Sequence, residues 1–206
     1  MKNELKEKLL HVTKKCYEKK LLTGISGNVS CFDRTSGIIA ITPSSLPYDE
    51  MEAADIVCID IEGNILSGPG RPSSEWPMHT LVYKERPDIS AQIHTHSTYA
   101  TAFAVNNLGI PVVLIEMVPV LGGDVLVAEF ALPGSAQVGQ NALKVLKERS
   151  VCLLANHGVL AVGESLEQAY LRAACVEEVS KVYSIALNNG SVNILSDEIV
   201  SLMKGK

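Results

Sequence analysis

The spacing of apolar residues along the chain predicts alternating helices and strands. Residues 4–20 place apolar side chains three or four positions apart, with lysines on the opposite face, which is typical of an amphipathic helix. Short runs rich in Val and Ile between turn residues predict strands. Further helices are predicted at 75–86, after Ser97 through Tyr99, Ala102 and Val105, at 135–148 and at 165–188. Strands are predicted at 29–32, 38–41, 56–60, 65–66, 91–94, 151–155 and 159–162.

The turns between these elements indicate the fold class. Ser36-Gly37 and Glu62-Gly63-Asn64 each separate two predicted strands, so they predict antiparallel hairpins. Helices separated by such hairpins fit an α+β fold better than a regular βαβ repeat. Residues 109–134, rich in Val, Ile, Pro and Gly, predict only short strands and loops. Since there is no internal repeat, low-complexity tract or linker, we expect one domain over 1–206, with 191–206 as an amphipathic tail.

Composition and charge narrow the classes of partner. The chain has 206 residues, of which 47% are hydrophobic and 20% are charged, as in an ordinary globular protein. Its net charge of -5 and the lack of a basic cluster argue against a nucleic-acid partner. An enzyme with this charge and an anionic substrate would need a local positive potential, which a bound metal and backbone N–H groups could supply.

The cysteines and the lengths of the apolar runs indicate in which cellular compartment the protein is expected. The five cysteines are widely spaced and form no CxxC pair, so we expect buried free thiols in a reducing cytoplasm. The amphipathic start of the chain does not resemble a signal peptide. No apolar run approaches the ~20 residues that span a membrane, so neither a membrane partner nor a membrane span is expected.

The stretch from Ser73 to His96 carries the strongest chemical signal. If residues 91–94 are a strand, His94 and His96 point to the same face and can form half of a metal site. An isolated His-x-His is equally compatible with a solvated strand edge. Because His157 in an Asn-His-Gly turn and the carboxylate of Glu75 are also available, we favour a metal site.

Three small polar loops are candidates for binding phosphate. Hydroxyl and backbone N–H groups at glycine- or serine-rich turns bind phosphate oxygens, although each such loop alone is more often a plain turn or helix cap. No GxxxxGK[ST] or GxGxxG motif occurs, so nucleotide-binding motifs do not apply. The candidate residues are Gly27, Asn28, Ser44, Ser45, Ser73 and Ser74.

These motifs follow one another in a specific order. They are Gly-x-Ser-Gly-Asn-x-Ser at 24–30, Thr-Pro-Ser at 42–44, Ser-Ser-Glu at 73–75, His-Thr-His at 94–96 and Asn-His-Gly at 156–158. In this order the chain resembles the class II sugar-phosphate aldolase/epimerase family over roughly residues 5–190. The resemblance implies a three-layer α/β/α sandwich around a mostly antiparallel central sheet. It also implies a fourfold homotetramer with active sites at the subunit interfaces.

The resemblance assigns roles by motif. His94, His96 and His157 would be ligands of one Zn²⁺ per chain, with Glu75 as the fourth ligand and the acid/base. Gly27, Asn28 and the serine pairs at 44–45 and 73–74 would hold the substrate phosphate. The implied reaction is the reversible cleavage of a ketose 1-phosphate into dihydroxyacetone phosphate and a small aldehyde. L-Fuculose 1-phosphate or a 5-deoxypentulose 1-phosphate would be the substrate.

The chain departs from the family pattern at one catalytic position. Aldolases of this family place a proton-donating tyrosine near residue 116, where this chain has Glu116 and no tyrosine between Tyr99 and Tyr170. Glu116 is either a replacement acid or an interface carboxylate. Two other functions remain open: a pentulose 5-phosphate 4-epimerase, and a non-catalytic scaffold like the adducin head domains. The complete set of three histidines and Glu75 favours an enzyme over the scaffold.

Two further residues near the motifs are expected to be structural. His79 follows Glu75 by four positions and therefore lies on the same helical face. A structural histidine behind the site is favoured there over a metal ligand. Trp76 is expected to pack beside the site.

Overall fold

The computed structural model describes residues 2–147 and 149–205, which form seven α-helices and eight strands. The helices are α1 (Lys2–Glu18), α2 (Trp76–Glu85), α3 (Thr98–Val105), α4 (Met117–Leu121), α5 (Ala136–Leu146), α6 (Leu166–Asn189) and α7 (Asp197–Lys204). The strands are β1 (Asn28–Asp33), β2 (Ile38–Ile41), β3 (Val57–Ile59), β4 (Ile65–Ser67), β5 (Ala91–Thr95), β6 (Val127–Ala128), β7 (Val151–Leu154) and β8 (Gly158–Gly163).

All eight strands belong to one sheet in the order β4-β3-β2-β1-β5-β8-β7-β6. Every neighbouring pair is antiparallel except β6 and β7, which are parallel. The two predicted hairpins, β1–β2 and β3–β4, are present. The sheet is therefore mostly antiparallel, and the predicted α+β class is confirmed.

Helices cover both faces of the sheet. On β2, Ile38 and Ala40 pack into one hydrophobic core, whereas Ile39 and Ile41 pack into a second core. The first core includes residues of α1, α3, α4 and α6, and the second includes residues of α2 and α5. Because side chains alternate between the faces of a strand, two buried faces make each central strand read as a continuous apolar run. This arrangement is the predicted three-layer α/β/α sandwich.

Some element boundaries differ from the prediction. The short helix α4 lies inside 109–134, where only strands and loops were expected. The tail at 191–206 contains helix α7, and the backbone N–H of Leu195 ties it to the carbonyl of Val112 at 2.9 Å. The helix predicted at 135–148 ends at Leu146, and Glu148 lies outside the described residues. The single continuous sheet is compatible with one domain, and the assignment of residues 1–206 to one domain stays a prediction.

Two further sequence expectations concern cysteines and membranes. All five cysteines are free thiols, four of them buried and Cys175 half-buried. Burial raises the pKa of Cys16 and of Cys31 to about 12, so these thiols stay protonated. In the described part of the chain, no helix combines the length and the apolar character needed to cross a membrane.

Candidate metal centre and substrate cavity

Three adjacent central strands bring the candidate residues to one edge of the sheet. Strand β5 pairs with β1 and with β8, so Asn28 lies opposite His94, and Thr95 lies opposite Val159. His157 precedes β8 and therefore emerges at the same edge as the end of β5. Residues far apart in sequence thus meet because of strand pairing.

The three predicted imidazoles form one cluster. The Nε2 atoms of His94 and His96 are 3.0 Å apart. The ring centroid of His157 lies 4.6 Å from that of His94 and 5.1 Å from that of His96. His94 is fully buried, whereas the other two are half-buried and face the cavity. One ligand atom from each ring lies within 4.8 Å of the others, a spacing that one metal ion can bridge.

The backbone around residue 157 explains how the third imidazole reaches the cluster. Asn156 adopts a left-handed conformation with φ 54°, which asparagine tolerates better than most residues. A Cβ on Gly158 would overlap the backbone oxygen of Thr95 and lie 3.0 Å from His96 Cδ2. The motif Asn-His-Gly is therefore a tight turn that sets His157 directly against the end of β5.

Glu75 lies against these imidazoles at the start of α2. Its Oε2 is 3.0 Å from His94 Nε2, and its Oε1 is 3.7 Å from His157 Nε2. The backbone N–H of Gly134 donates to Oε1 at 3.3 Å. The carboxylate is 6% exposed, yet among the described residues its Oε2 has no hydrogen-bond partner. A buried carboxylate oxygen without a partner is costly unless a cation compensates it.

The tautomer of His94 shows that this donor set fits a metal ion. Its Nδ1 lies 2.8 Å from the carbonyl oxygen of Val159, which can only accept, so Nδ1 carries the proton. Nε2 of a neutral His94 therefore presents a lone pair toward Glu75 Oε2 and His96 Nε2. Lone pairs that face one another at 3.0 Å repel, whereas a cation between them would be bound by all of them.

The protonation states also suit metal binding. Burial, together with neighbouring His94 and His157, lowers the pKa of His96 to about 4. Burial also lowers the pKa of His157. Burial raises the pKa of the Glu75 carboxyl, but protonated imidazoles beside it would outweigh this effect and bring it to about 2. Near pH 7, His96 and His157 are therefore neutral, the form in which an imidazole binds a metal.

The predicted phosphate-binding residues line the same cavity of about 370 Å³. Asn28 and Ser73 are buried in its wall, whereas Ser44, Ser45 and Ser74 are exposed. Gly27 has a φ of 86°, and a Cβ there would crowd the backbone of His94, so glycine is needed where this loop crosses β5. The lining comprises Ile25, Ser26, Gly27, Asn28, Pro43, Ser44, Ser45, Ser73, Ser74, Glu75, His94, His96, Pro133 and His157.

Glu116 lies outside this cavity. It is exposed and immediately precedes α4. Burial raises the pKa of the Cys175 thiol on α6, and the negative charge of Glu116 raises it further. The cavity contains Glu75 as its carboxylate instead. Within one chain, the structure does not bring the two candidate catalytic residues together.

His79 and Trp76 lie behind and beside the cavity. His79 is fully buried and contacts Asn28 and Ser30 through its two ring nitrogens. Burial lowers its pKa to about 3, so it is neutral. The ring of Trp76 packs against Gly63, where a Cβ would overlap it.

Sequence reasoning missed one charged residue near the site. Arg71 borders a second cavity that shares Ser44 and Ser74 with the first. Its backbone oxygen accepts a hydrogen bond from the N–H of Ser44 at 2.9 Å. Among the residues lining the two cavities, Arg71 carries the positive side chain. The sequence did offer a sign of this residue, because Arg71 is a basic residue two positions before the Ser73-Ser74 pair.

Comparison with known proteins identifies the family. The model of the class II aldolase and adducin N-terminal domain matches residues 7–184. The chain belongs to this class II aldolase family. A similar relative is 5-deoxy-D-ribulose 1-phosphate aldolase of Bacillus thuringiensis, 33% identical over 200 residues, covering 97% of this chain and 93% of the relative.

Two further proteins resemble this class II aldolase closely. L-Fuculose phosphate aldolase of Escherichia coli K12 is 31% identical over 206 residues, covering 100% of this chain and 94% of the relative. A solved structure of an L-fuculose 1-phosphate aldolase is 42% identical, with a TM-score of 0.93, covering 98% of this chain and 95% of the other. These relatives support an aldehyde-lyase acting on a ketose 1-phosphate and give the epimerase less support. Class II aldolases depend on a metal, and the imidazole cluster offers a place for one.

Proposed function

We propose that this class II aldolase reversibly cleaves a ketose 1-phosphate into dihydroxyacetone phosphate and a small aldehyde. The observation that carries the proposal is the convergence of three imidazoles and a buried carboxylate with the six candidate phosphate-binding residues in one cavity. The imidazoles and the carboxylate can bind a metal and transfer a proton, and the phosphate-binding candidates can bind the phosphate of a substrate. The substrate of an aldolase of this kind needs both.

His94, His96, His157 and Glu75 would hold one Zn²⁺ per chain. Neutral imidazoles with an ionised carboxylate are ligands that zinc prefers, and Glu75 Oε2 has no hydrogen-bond partner in the described part of the chain. When bound, the metal supplies Lewis acidity that stabilises negative charge on substrate oxygens. The Nδ1–H of His94 donates to the carbonyl of Val159 and so keeps that ring oriented.

Glu75 would transfer the proton at the reacting carbon. In cleavage, the bond between C3 and C4 of the ketose breaks and its electron pair stays on the dihydroxyacetone phosphate fragment. The C4 hydroxyl gives up its proton to water and becomes the aldehyde. Glu75, having taken up a proton from water, then delivers it to that carbon, and in condensation the carboxylate removes it. The low pKa of Glu75 keeps it in the carboxylate form that condensation requires.

Gly27, Asn28, Ser44, Ser45, Ser73 and Ser74 would bind the substrate phosphate. Hydroxyl, amide and backbone N–H groups can together surround the phosphate oxygens without a basic residue in direct contact. All six residues line the cavity that contains the imidazoles. Phosphate bound there would place the carbonyl end of the ketose beside Glu75.

The aldehyde product distinguishes two candidate substrates. Relatives are named for L-fuculose phosphate and for 5-deoxyribulose 1-phosphate. A 5-deoxypentulose 1-phosphate would leave a two-carbon aldehyde, whereas L-fuculose 1-phosphate would leave a three-carbon hydroxyaldehyde. Both would share the dihydroxyacetone phosphate half, so the same phosphate and metal residues serve either one.

The active form would be a cytoplasmic homotetramer with sites at subunit interfaces. Free thiols suit a reducing compartment. Phe130 and Leu132 are 56% and 72% exposed beside Pro133, which lines the cavity, so a neighbouring subunit could cover them. Glu116 would reach a reacting aldehyde oxygen only from such a neighbour, and otherwise it serves as an interface carboxylate. Light scattering of the purified chain tests the tetramer.

Metal analysis and a coupled assay for dihydroxyacetone phosphate test the function. The purified chain is supplied separately with L-fuculose 1-phosphate and with 5-deoxy-D-ribulose 1-phosphate. Zinc near one equivalent per chain with release of dihydroxyacetone phosphate would support the aldolase and identify the preferred ketose. Zinc without cleavage of either ketose, but with interconversion of pentulose 5-phosphates, would support the epimerase. A chain that binds no metal and cleaves nothing would point to the scaffold.

A further inference from the structure

A buried chain of hydrogen bonds runs from α2 to the cavity. The Tyr83 hydroxyl lies 2.8 Å from Ser30 Oγ, and Ser30 Oγ lies 2.6 Å from His79 Nδ1. On the other side of the ring, His79 Nε2 lies 2.5 Å from Asn28 Oδ1. All four residues are buried, and Asn28 also lines the cavity. This series of hydrogen bonds therefore links three structural side chains to a predicted phosphate ligand.

The donor and acceptor groups allow only one direction for this series of hydrogen bonds, from Tyr83 toward Asn28. A fully buried phenol needs an acceptor for its proton, and Ser30 Oγ is in place to accept it. Gln92, another polar side chain beside the phenol, does not serve as acceptor, because its Oε1 makes no hydrogen bond to any residue that the structure describes. Ser30 then donates its own proton to His79 Nδ1. A neutral imidazole with an accepting Nδ1 carries its proton on Nε2, which donates to Asn28 Oδ1.

This direction fixes how the Asn28 amide faces the cavity. Once Oδ1 accepts from His79, the Nδ2 group points away from the imidazole. Within the described part of the chain, Nδ2 makes no hydrogen bond, and the residue is 3% exposed at the cavity wall. Its two N–H groups are therefore available to a ligand. Gln92 Nε2 of β5 donates to the backbone carbonyl of His79 at 2.8 Å, and this hydrogen bond fixes the backbone of α2 that carries the imidazole.

We propose that His79 is a positioning residue that selects the orientation of the Asn28 amide in which its N–H donors face the substrate phosphate. An amide can rotate so that its oxygen and nitrogen exchange places at little steric cost. Rotated in that way, Asn28 would present a lone pair to a phosphate oxygen and repel it. His79 Nε2–H excludes this orientation because it requires an acceptor. The inference rests on the proposed phosphate-binding role of Asn28.

Two substitutions at His79 separate the contact with Asn28 from the bulk of the ring. His79→Gln places an amide nitrogen near the position of Nε2, so it keeps a donor for Asn28. His79→Asn is shorter and keeps only the polar contact toward Ser30. The probe is inorganic phosphate, measured as a competitive inhibitor of the zinc-loaded enzyme. Metal content and thermal unfolding are measured for every variant.

We expect His79→Asn to weaken phosphate inhibition and to raise the KM about tenfold, with kcat changed much less. His79→Gln should recover most of the loss, and zinc content should stay at the wild-type level in both. In the double variant, His79→Asn should add little to Asn28→Ala, because both changes remove the same donor. A merely structural role would lower the unfolding temperature without this split between KM and kcat.

The outcomes separate this inference from the proposed function. If Asn28→Ala leaves phosphate inhibition unchanged, the proposed phosphate site is wrong. If Asn28→Ala weakens inhibition but His79→Asn does not, or the two losses add fully, the positioning role is overturned. Loss of zinc in His79→Asn at unchanged folding would also overturn it.

A second pair of variants applies if His79→Asn does not fold. Ser30→Ala removes the donor that sets the proton on Nε2, so phosphate inhibition should weaken severalfold. Ser180→Ala removes a buried hydroxyl on α6 that donates to the carbonyl of Val176 at 2.6 Å, and serves as the matched control. Unchanged phosphate inhibition in Ser30→Ala would contradict the inference.

Discussion

The backbone carbonyl of Thr95 lies directly against Gly158, so a Cβ at position 158 would overlap the Thr95 oxygen. The same Cβ would lie 3.3 Å from His94 Cε1. The absence of one methyl group thus lets the turn that carries His157 approach the strand that carries the other two imidazoles. Backbone contact, as much as the choice of ligands, sets the geometry of the candidate metal centre.

Gly158→Ala should therefore impair the metal centre. Overpacking against backbone costs about 1–3 kcal/mol, and the required shift would separate β8 from the end of β5. We expect weaker zinc binding and a lower unfolding temperature, measured by metal titration and calorimetry. Gly70→Ala is the matched control, since a Cβ on Gly70 meets nothing within 4 Å. Equal behaviour of the two variants would show that the close approach is unimportant.

His94→Ala and Glu75→Gln should separate metal binding from proton transfer. Loss of the buried His94 should remove zinc and activity together. Glu75→Gln keeps the shape and an oxygen ligand, so much of the zinc should remain while turnover falls about 10²–10⁴-fold, as for loss of a general acid–base. Exchange of the reacting proton of dihydroxyacetone phosphate with solvent measures that step directly. Equal zinc loss in both variants, with no separate effect on exchange, would argue against the acid–base role.

Arg71→Gln should weaken substrate binding without altering the metal. Arg71 borders the second cavity, which shares Ser44 and Ser74 with the substrate cavity, and its positive charge would attract a phosphate in a chain of net charge -5. Because an exposed charge contributes only about 0.2–1 kcal/mol, the KM should rise about two- to fivefold and depend less on salt. Lys19→Gln, an exposed lysine just beyond α1, controls for the lost charge. An unchanged KM and salt dependence in Arg71→Gln would remove Arg71 from the site.

Glu177→Ala should destabilise the start of α3. Both oxygens of Glu177 accept backbone N–H groups at the first turn of that helix, from Tyr99 and Ala100, each at 2.9 Å. Loss of such a cap costs about 0.5–2 kcal/mol, which urea denaturation can measure. Because α3 begins just after His96, zinc affinity should also fall slightly. Glu178→Ala, the exposed neighbour, is expected to be nearly neutral; a matching loss there would contradict a specific cap.

The sequence itself determined most of the secondary structure and the candidate residues. The strand at Ile38–Ile41 matches its prediction because a continuous apolar run between turn residues has few alternatives. The helix Leu166–Asn189 begins just after Ser165, whose side chain accepts from the N–H of Gln168. The short helix α4 was missed because five residues containing Pro and Val carry almost no helical signal.

Only the tertiary structure decided which of those residues meet. Pairing of β5 with both β1 and β8 unites Asn28, His94 and the turn before Val159, which no periodicity encodes because it depends on strand order. Glu116, which precedes α4, lies outside the cavity. The link from His79 to Asn28 also spans 51 positions, and local patterns carry no information about contacts at that separation. Local side-chain chemistry thus named the participants, and long-range backbone pairing placed them.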